Sequence, residues 1–193
     1  MEEQAKTKQK NKLEEEDDDE EKVEFVKLVE HLIGIAEGDN LQLATLAISA
    51  LVNLCNFSED IKGIFLQKHG LHFVLHQLNS KREDIIINIL KLVLTIVNKS
   101  EIFSKSIEVA VKPLLQILNG PKLPCTRFSE RVNYFVLLIL RQMIKHNPKI
   151  KEIAMDQTDS LDAVITIVKD ARSDETVQHC VYQYLRQLVS EDT

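Results

Sequence analysis

Apolar residues recur at helical spacing almost without interruption from Val23 to the end of the chain. Residues three or four positions apart lie on the same side of an α-helix, so each such stretch predicts a helix with one buried face. Only five glycines and four prolines occur among the 193 residues, too few for the many tight turns of an all-β fold. The pattern therefore predicts an all-α domain over residues 23–193.

The preceding residues, 1–22, have a different composition. They contain ten acidic residues against five lysines, and eight consecutive acids occupy Glu14–Glu21. A like-charged block with one leucine and no aromatic residue buries too little apolar surface to offset its ordering entropy. We expect a disordered acidic tail, which is either a solvated extension or a docking segment for a basic partner.

Charge and cysteine usage exclude several classes of protein. Residues 23–193 hold twenty acids and nineteen bases, so they lack the bulk positive field of a non-specific nucleic-acid binder. The longest apolar run, Tyr134–Leu140, is too short to span a bilayer. Cys55, Cys125 and Cys180 form no CxxC pair, which argues against a disulfide framework and a zinc site. We predict a cytoplasmic protein without nucleic-acid or membrane partners, with the cilium and the nucleus as alternative compartments.

A three-helix pattern repeats along the chain. Ser58, Ser100 and Asn147 each follow a long helix and open a short one, at spacings of 42 and 47 residues. The second helices are predicted around Leu71–Leu78, Val111–Leu118 and Leu161–Lys169. The long third helices are predicted at 83–98, 129–146 and 174–190. Periods of about 40–47 residues with two or three helices are typical of HEAT and armadillo arrays.

One repeat carries a more specific signature. Ala50-Leu51-Val52-Asn53-Leu54 closes a helix rich in small residues, Ser58-Glu59-Asp60 opens a short helix, and Gly70 precedes the next. This order over residues 39–79 resembles the armadillo repeat, whose third helix ends in an Ala-Leu-x-Asn-Leu signature. Later repeats keep the spacing but not the signature, since Thr95, Gln142 and Gln187 replace Asn53. The resemblance implies a right-handed α-solenoid of about 3.5–4 repeats.

The resemblance also implies where a partner would bind. In armadillo proteins the third helices line a concave groove, and polar side chains there hold extended peptides. By register, the groove positions are Ser49, Asn53, Lys91, Thr95, Leu138, Gln142, Gln183 and Gln187. The alternative is that these are solvated polar positions. In the linker 119–128, Leu123 and Phe128 are candidate exposed contacts, or else they pack back onto the core.

Candidate chemical sites are few. His72 and His76 stand one helical turn apart, with His69 nearby, but no third ligand stands at a fitting offset. The glycines never form a phosphate-binding loop. Cys55 and Cys180 fall inside predicted long helices, where an activated thiol is rare and a structural role more common. We therefore predict no metal, no cofactor and no catalytic activity.

The function implied by the resemblance is protein–protein interaction, with the chain acting as a scaffold or adaptor that holds a partner segment in the groove. Two more specific roles known for armadillo proteins remain as alternatives. One is a nucleotide exchange factor for Hsp70, and the other is a factor for the assembly of cilia or dynein arms.

Overall fold

The computed structural model describes residues 22–98, 105–119, 129–169 and 174–190, and every regular element within these ranges is a helix. The first helix, α1, covers 22–36, so Lys22 of the predicted tail already belongs to it. The others are α2 (Leu41–Phe57), α3 (Glu59–Phe65), α4 (Leu71–Leu78), α5 (Glu83–Val97), α6 (Val111–Asn119), α7 (Glu130–His146), α8 (Lys149–Met155), α9 (Thr158–Lys169) and α10 (Glu175–Val189). The all-α prediction is confirmed. The rest of the predicted tail, and Ser100 with its predicted short helix up to 104, lie outside the described residues.

Side-chain caps begin several helices at the predicted polar residues. The Oδ1 of Asn40 accepts hydrogen bonds from two backbone N–H groups in the first turn of α2, at 3.1 and 3.2 Å. The Oγ of Ser58 does the same for α3, at 3.1 and 3.4 Å. At the start of α8, which follows Asn147-Pro148, the Oδ1 of Asn147 accepts from the N–H of Lys149 at 3.2 Å. Each cap satisfies N–H groups that have no partner inside the helix.

The long third helices α2, α5, α7 and α10 pack side by side in chain order, each against the next. The second helices form a parallel series, in which α4 contacts α6 and α6 contacts α9. Each repeat therefore contacts chiefly its neighbours, and the core continues from one repeat to the next, as in other solenoids. This arrangement is the α-solenoid that the sequence predicts.

Small and branched apolar side chains fill this core. Ala44 and Ala47 of α2 are buried, while Ala50 is half-buried. Ile89 of α5 and Leu137 of α7 are fully buried.

Within the described part of the chain, no helix combines the length and the apolar character needed to cross a membrane.

The connection between α3 and α4 is a tight irregular turn, Leu66–Gly70. The helix is broken where predicted, but the left-handed residue is His69, with φ 64°, and not the glycine. A Cβ on Gly70 would lie 2.2 Å from the carbonyl oxygen of Phe65 and 2.6 Å from its ring. The glycine is therefore required by the space available, since its own φ is −58°.

The two ends of the row of third helices expose apolar side chains. On α2, Leu43 and Phe57 are 52% and 86% exposed. On α10, Tyr182 and Val189 are 60% and 76% exposed. Among the described residues, α2 and α10 each pack against only one other third helix, and Phe57 shares a depression with Phe25 of α1.

Candidate functional site

Two open depressions lie along one face of the third helices, which we call the groove. The first has a volume of about 530 Å³. It is formed by the N-terminal halves of α2 and α5 and by the start of α7. Its lining residues are Leu41, Gln42, Thr45, Leu46, Asp84, Ile87, Asn88, Lys91 and Arg131.

The second depression has a volume of about 460 Å³ and lies at the opposite ends of the helices, between the C-terminal halves of α7 and α10. Its lining residues are Arg141, Gln142, Lys145, Gln183, Arg186, Gln187 and Ser190. Both depressions are open, and the second is lined by polar side chains alone, a form that suits an extended chain better than a small molecule.

The predicted groove residues are distributed over this face. Lys91 lines the first depression, and three of the predicted glutamines line the second: Gln142, Gln183 and Gln187. Asn53 is exposed and Leu138 is half-buried.

Two predicted positions are engaged inside the fold. The Oγ of Ser49 donates a hydrogen bond to the carbonyl oxygen of Thr45 at 2.8 Å. Thr95 is only 9% exposed, which leaves little of its side chain for a partner to contact.

Helical geometry explains why these positions share the groove. Residues seven apart return to nearly the same side of a helix, so Arg131 and Leu138 lie on one side of α7. Lys145, three residues beyond Gln142, falls on that side as well. The sequence prediction took two positions per helix. It included Lys91 but missed the other basic residues of the face, although the same periodicity identifies them.

The charges in the groove are predominantly positive. Its two depressions are lined by five basic residues, Lys91, Arg131, Arg141, Lys145 and Arg186, and by one carboxylate, Asp84. In the second depression all the charged lining residues are cations. In the first, the Nζ of Lys91 lies 3.5 Å from the Oδ1 of Asn88. The groove thus differs in sign from the chain as a whole, whose net charge is −6.

Arg141 is held at the base of the second depression. The Nε2 of Gln187 donates a hydrogen bond to its carbonyl oxygen at 3.2 Å, which joins α10 to α7. Burial raises the pKa of the neighbouring Cys180 thiol, and a hydrogen bond and the charge of the Arg141 guanidinium partly oppose this shift. The Nε of Arg141 is buried, and among the described residues it has no hydrogen-bond partner.

The other candidate chemical groups have ordinary structural surroundings. Cys55 is fully buried, and burial raises its pKa to about 12; the charge of Lys62 opposes this shift and that of Glu59 adds to it. That thiol is protonated at neutral pH and is a poor nucleophile. His72 and His76 are exposed on α4. Within the described ranges, no three His, Cys, Asp or Glu side chains converge as metal ligands. Cys125 and the predicted loop contacts, Leu123 and Phe128, lie outside the described residues.

Comparison with known proteins supports the fold but not a closer relationship. No family model matches the sequence, and no curated protein matches it. Among solved structures, an engineered protein has a TM-score of 0.70 at 14% identity, with 84% of this chain and 64% of that chain covered.

Two further similar structures carry more informative descriptions. A designed armadillo repeat protein in complex with the peptide (KR)4 has a TM-score of 0.68 at 15% identity, with 83% of this chain and 64% of that chain covered. A computationally designed armadillo repeat protein for modular peptide recognition has a TM-score of 0.69 at 16% identity, covering 82% of this chain and 63% of that chain. This chain spans less than two thirds of the length of these proteins. It has the fold of armadillo repeat proteins, an α-solenoid whose third helices pack in one continuous row.

Proposed function

We propose that this protein is an interaction scaffold that holds an extended segment of a partner protein in the groove along α2, α5, α7 and α10. The observation that carries the proposal is the pair of open depressions along one face of the third helices, both lined by polar as well as apolar groups. A polar face that spans several repeats offers hydrogen-bonding side chains at regular intervals, which suits the regular spacing of an extended peptide.

The similar structures support the same proposal by analogy, since one is a designed armadillo repeat protein in complex with a peptide. In this proposal the partner's backbone amides bind to the side chains of Asn53, Gln142 and Gln183. The surrounding groove positions are Ser49, Lys91, Thr95, Leu138 and Gln187. The protein then acts as a non-catalytic adaptor in the cytoplasm, and residues 1–22 form an acidic tail outside the repeat domain.

Selection from a random peptide library against the full chain tests this proposal. Peptides of any charge that are selected should bind at least about tenfold more weakly to the double variant Gln142→Ala and Gln183→Ala, because each substitution removes an amide that the peptide backbone would use. The matched control is Gln116→Ala with Gln157→Ala, two exposed glutamines that do not line the groove. Selected peptides that bind both double variants equally well would contradict the proposal.

A further inference from the structure

We infer that the partner segment is acidic: the groove takes an extended stretch of Asp and Glu residues from another protein. This inference rests on the proposed function and specifies the chemistry of its ligand. The basic lining residues of the two depressions outnumber the single carboxylate, Asp84, by five to one. Opposite charge across an interface selects the partner and speeds its association.

The cations of the second depression are not neutralised by the fold. Lys145 and Arg186 are exposed, and within the described part of the chain neither is in an ion pair with a carboxylate. Arg141 adds a guanidinium whose Nε is shielded from water without a hydrogen-bond partner among these residues. The Arg141 side chain as a whole is half-buried, and it lines the depression beside the two exposed cations. Arginine binds carboxylates through its planar set of N–H groups.

The positions of the depressions give the length of segment that the groove accommodates. The first lies toward the N-terminal ends of α2 and α5, and the second toward the C-terminal ends of α7 and α10. With helices about 10 Å apart and about 1.5 Å of rise per residue, their centres are separated by about 25 Å. An extended chain advances about 3.3 Å per residue, so about eight residues reach from one depression to the other.

A peptide is favoured over a nucleic acid by the near-neutral charge of the repeat domain. Residues 23–193 hold twenty acids and nineteen bases, so a long polyanion that extends beyond the groove meets no net positive field there. Only five of these nineteen bases line the groove, fewer than the extended basic face of most nucleic-acid binders provides. A short acidic segment needs only this local charge.

Fluorescence anisotropy with labelled octapeptides tests the inference on the full chain. The probes are (DE)4, (KR)4 and a neutral peptide of alternating Ser and Gln. We expect (DE)4 to bind more tightly than the other two, and its affinity to fall as salt is added. The double variant Lys145→Glu and Arg186→Glu should weaken (DE)4 binding by more than about tenfold. The control, Lys112→Glu with Lys169→Glu, makes the same change of net charge on exposed residues of α6 and α9 that do not line the groove.

Each other outcome overturns the inference in a distinct way. Tighter binding of (KR)4 or of the neutral peptide, lost in the variants Gln142→Ala and Gln183→Ala, would keep the proposed function and refute the acidic ligand. Equal loss of (DE)4 binding in the groove variant and the control would show that the groove is not the acidic site. An oligothymidylate that displaces (DE)4 at lower concentration than unlabelled (DE)4 would assign the groove to nucleic acid. If replacing the acids Glu14–Glu21 by their amides raises (DE)4 affinity at least tenfold, the chain's own tail is the occupant and no partner segment is needed.

Discussion

Gly70 is packed against Phe65 so closely that the turn between α3 and α4 has no room for a side chain. The carbonyl oxygen and the ring of Phe65 both lie within 2.6 Å of the position that a Cβ would take. The neighbouring His69 adopts the left-handed conformation, at φ 64°, and so breaks the helix between α3 and α4. The turn therefore needs a residue without a side chain at position 70 and a residue in the left-handed conformation at position 69.

The substitution Gly70→Ala is expected to destabilise the fold by about 1–3 kcal/mol, because either the backbone or the Phe65 ring must move. Gly63→Ala is the matched control, since Gly63 lies in the preceding helix α3 and a Cβ there meets nothing within 4 Å. That change should stabilise the protein by about 0.5–1 kcal/mol through helix propensity. Urea denaturation of both variants measures the two effects, and a loss of equal size in both would refute the steric explanation.

Cys55 gives a second residue-level prediction, because its thiol is buried with a pKa raised to about 12 from the ordinary 9.0. The neutral thiol contributes stability that is fully present below pH 9 and is lost as the pH rises toward 12, since only the unfolded thiol ionises in that window. At pH 8.5, iodoacetamide should therefore alkylate Cys55 slowly in the native protein and rapidly in urea. Mass spectrometry of the tryptic peptides separates this residue from the other cysteines. Rapid native labelling would show that the site opens locally.

At the scale of elements, one hydrogen bond recurs between successive third helices. The Oε2 of Glu83, the first residue of α5, accepts from the backbone N–H of Ser129, just before α7, at 3.3 Å. The Oε2 of Glu130, the first residue of α7, accepts from the N–H of Asp174, just before α10, at 3.2 Å. Each glutamate satisfies an N–H at the start of the next third helix and so sets how the two helix ends align.

The variant Glu83→Ala is expected to lose about 1–2 kcal/mol of unfolding free energy, because it removes a charge-assisted hydrogen bond between two repeats. Asp84→Ala is the control, since Asp84 is also an acid in the first turn of α5 and removing it has the same effect on the helix dipole. Thermal denaturation followed by circular dichroism compares the two. Equal losses would mean that only the dipole effect matters.

At the scale of the whole molecule, the sequence predicted the order of the helices, while several details of the groove depended on packing. Helical periodicity and capping residues such as Asn40 and Ser58 marked where elements begin, because these signals are local. Thr95 is nearly buried although it follows the same register as exposed Asn53, since α5 has a third helix on each side of it and α2 has only one. The burial of Thr95 depends on the helices that pack beside it, so the sequence of a single repeat does not predict it.

Position in the stack should decide what a substitution costs. Leu43 in α2 and Ile85 in α5 are equivalent in register, 42 residues apart, but they are 52% and 4% exposed. Leu43→Lys should change the unfolding free energy by less than about 1 kcal/mol, whereas Ile85→Lys should cost more than about 3 kcal/mol by burying an unpaired charge. Chemical denaturation of the two variants measures the difference. Equal effects would contradict the assignment of Leu43 to an open end.

The exposed sides of α2 and α10 also make the solenoid extensible. Leu43 and Phe57, like Tyr182 and Val189 at the opposite end, already present apolar side chains where another third helix would pack. An additional repeat joined in register after α10 would cover Tyr182 and Val189 and would gain its stability from one new interface, whereas at the α2 end Phe57 already shares a depression with Phe25 of α1. The new interface would be of the same kind as those that already join α2 to α5 and α7 to α10.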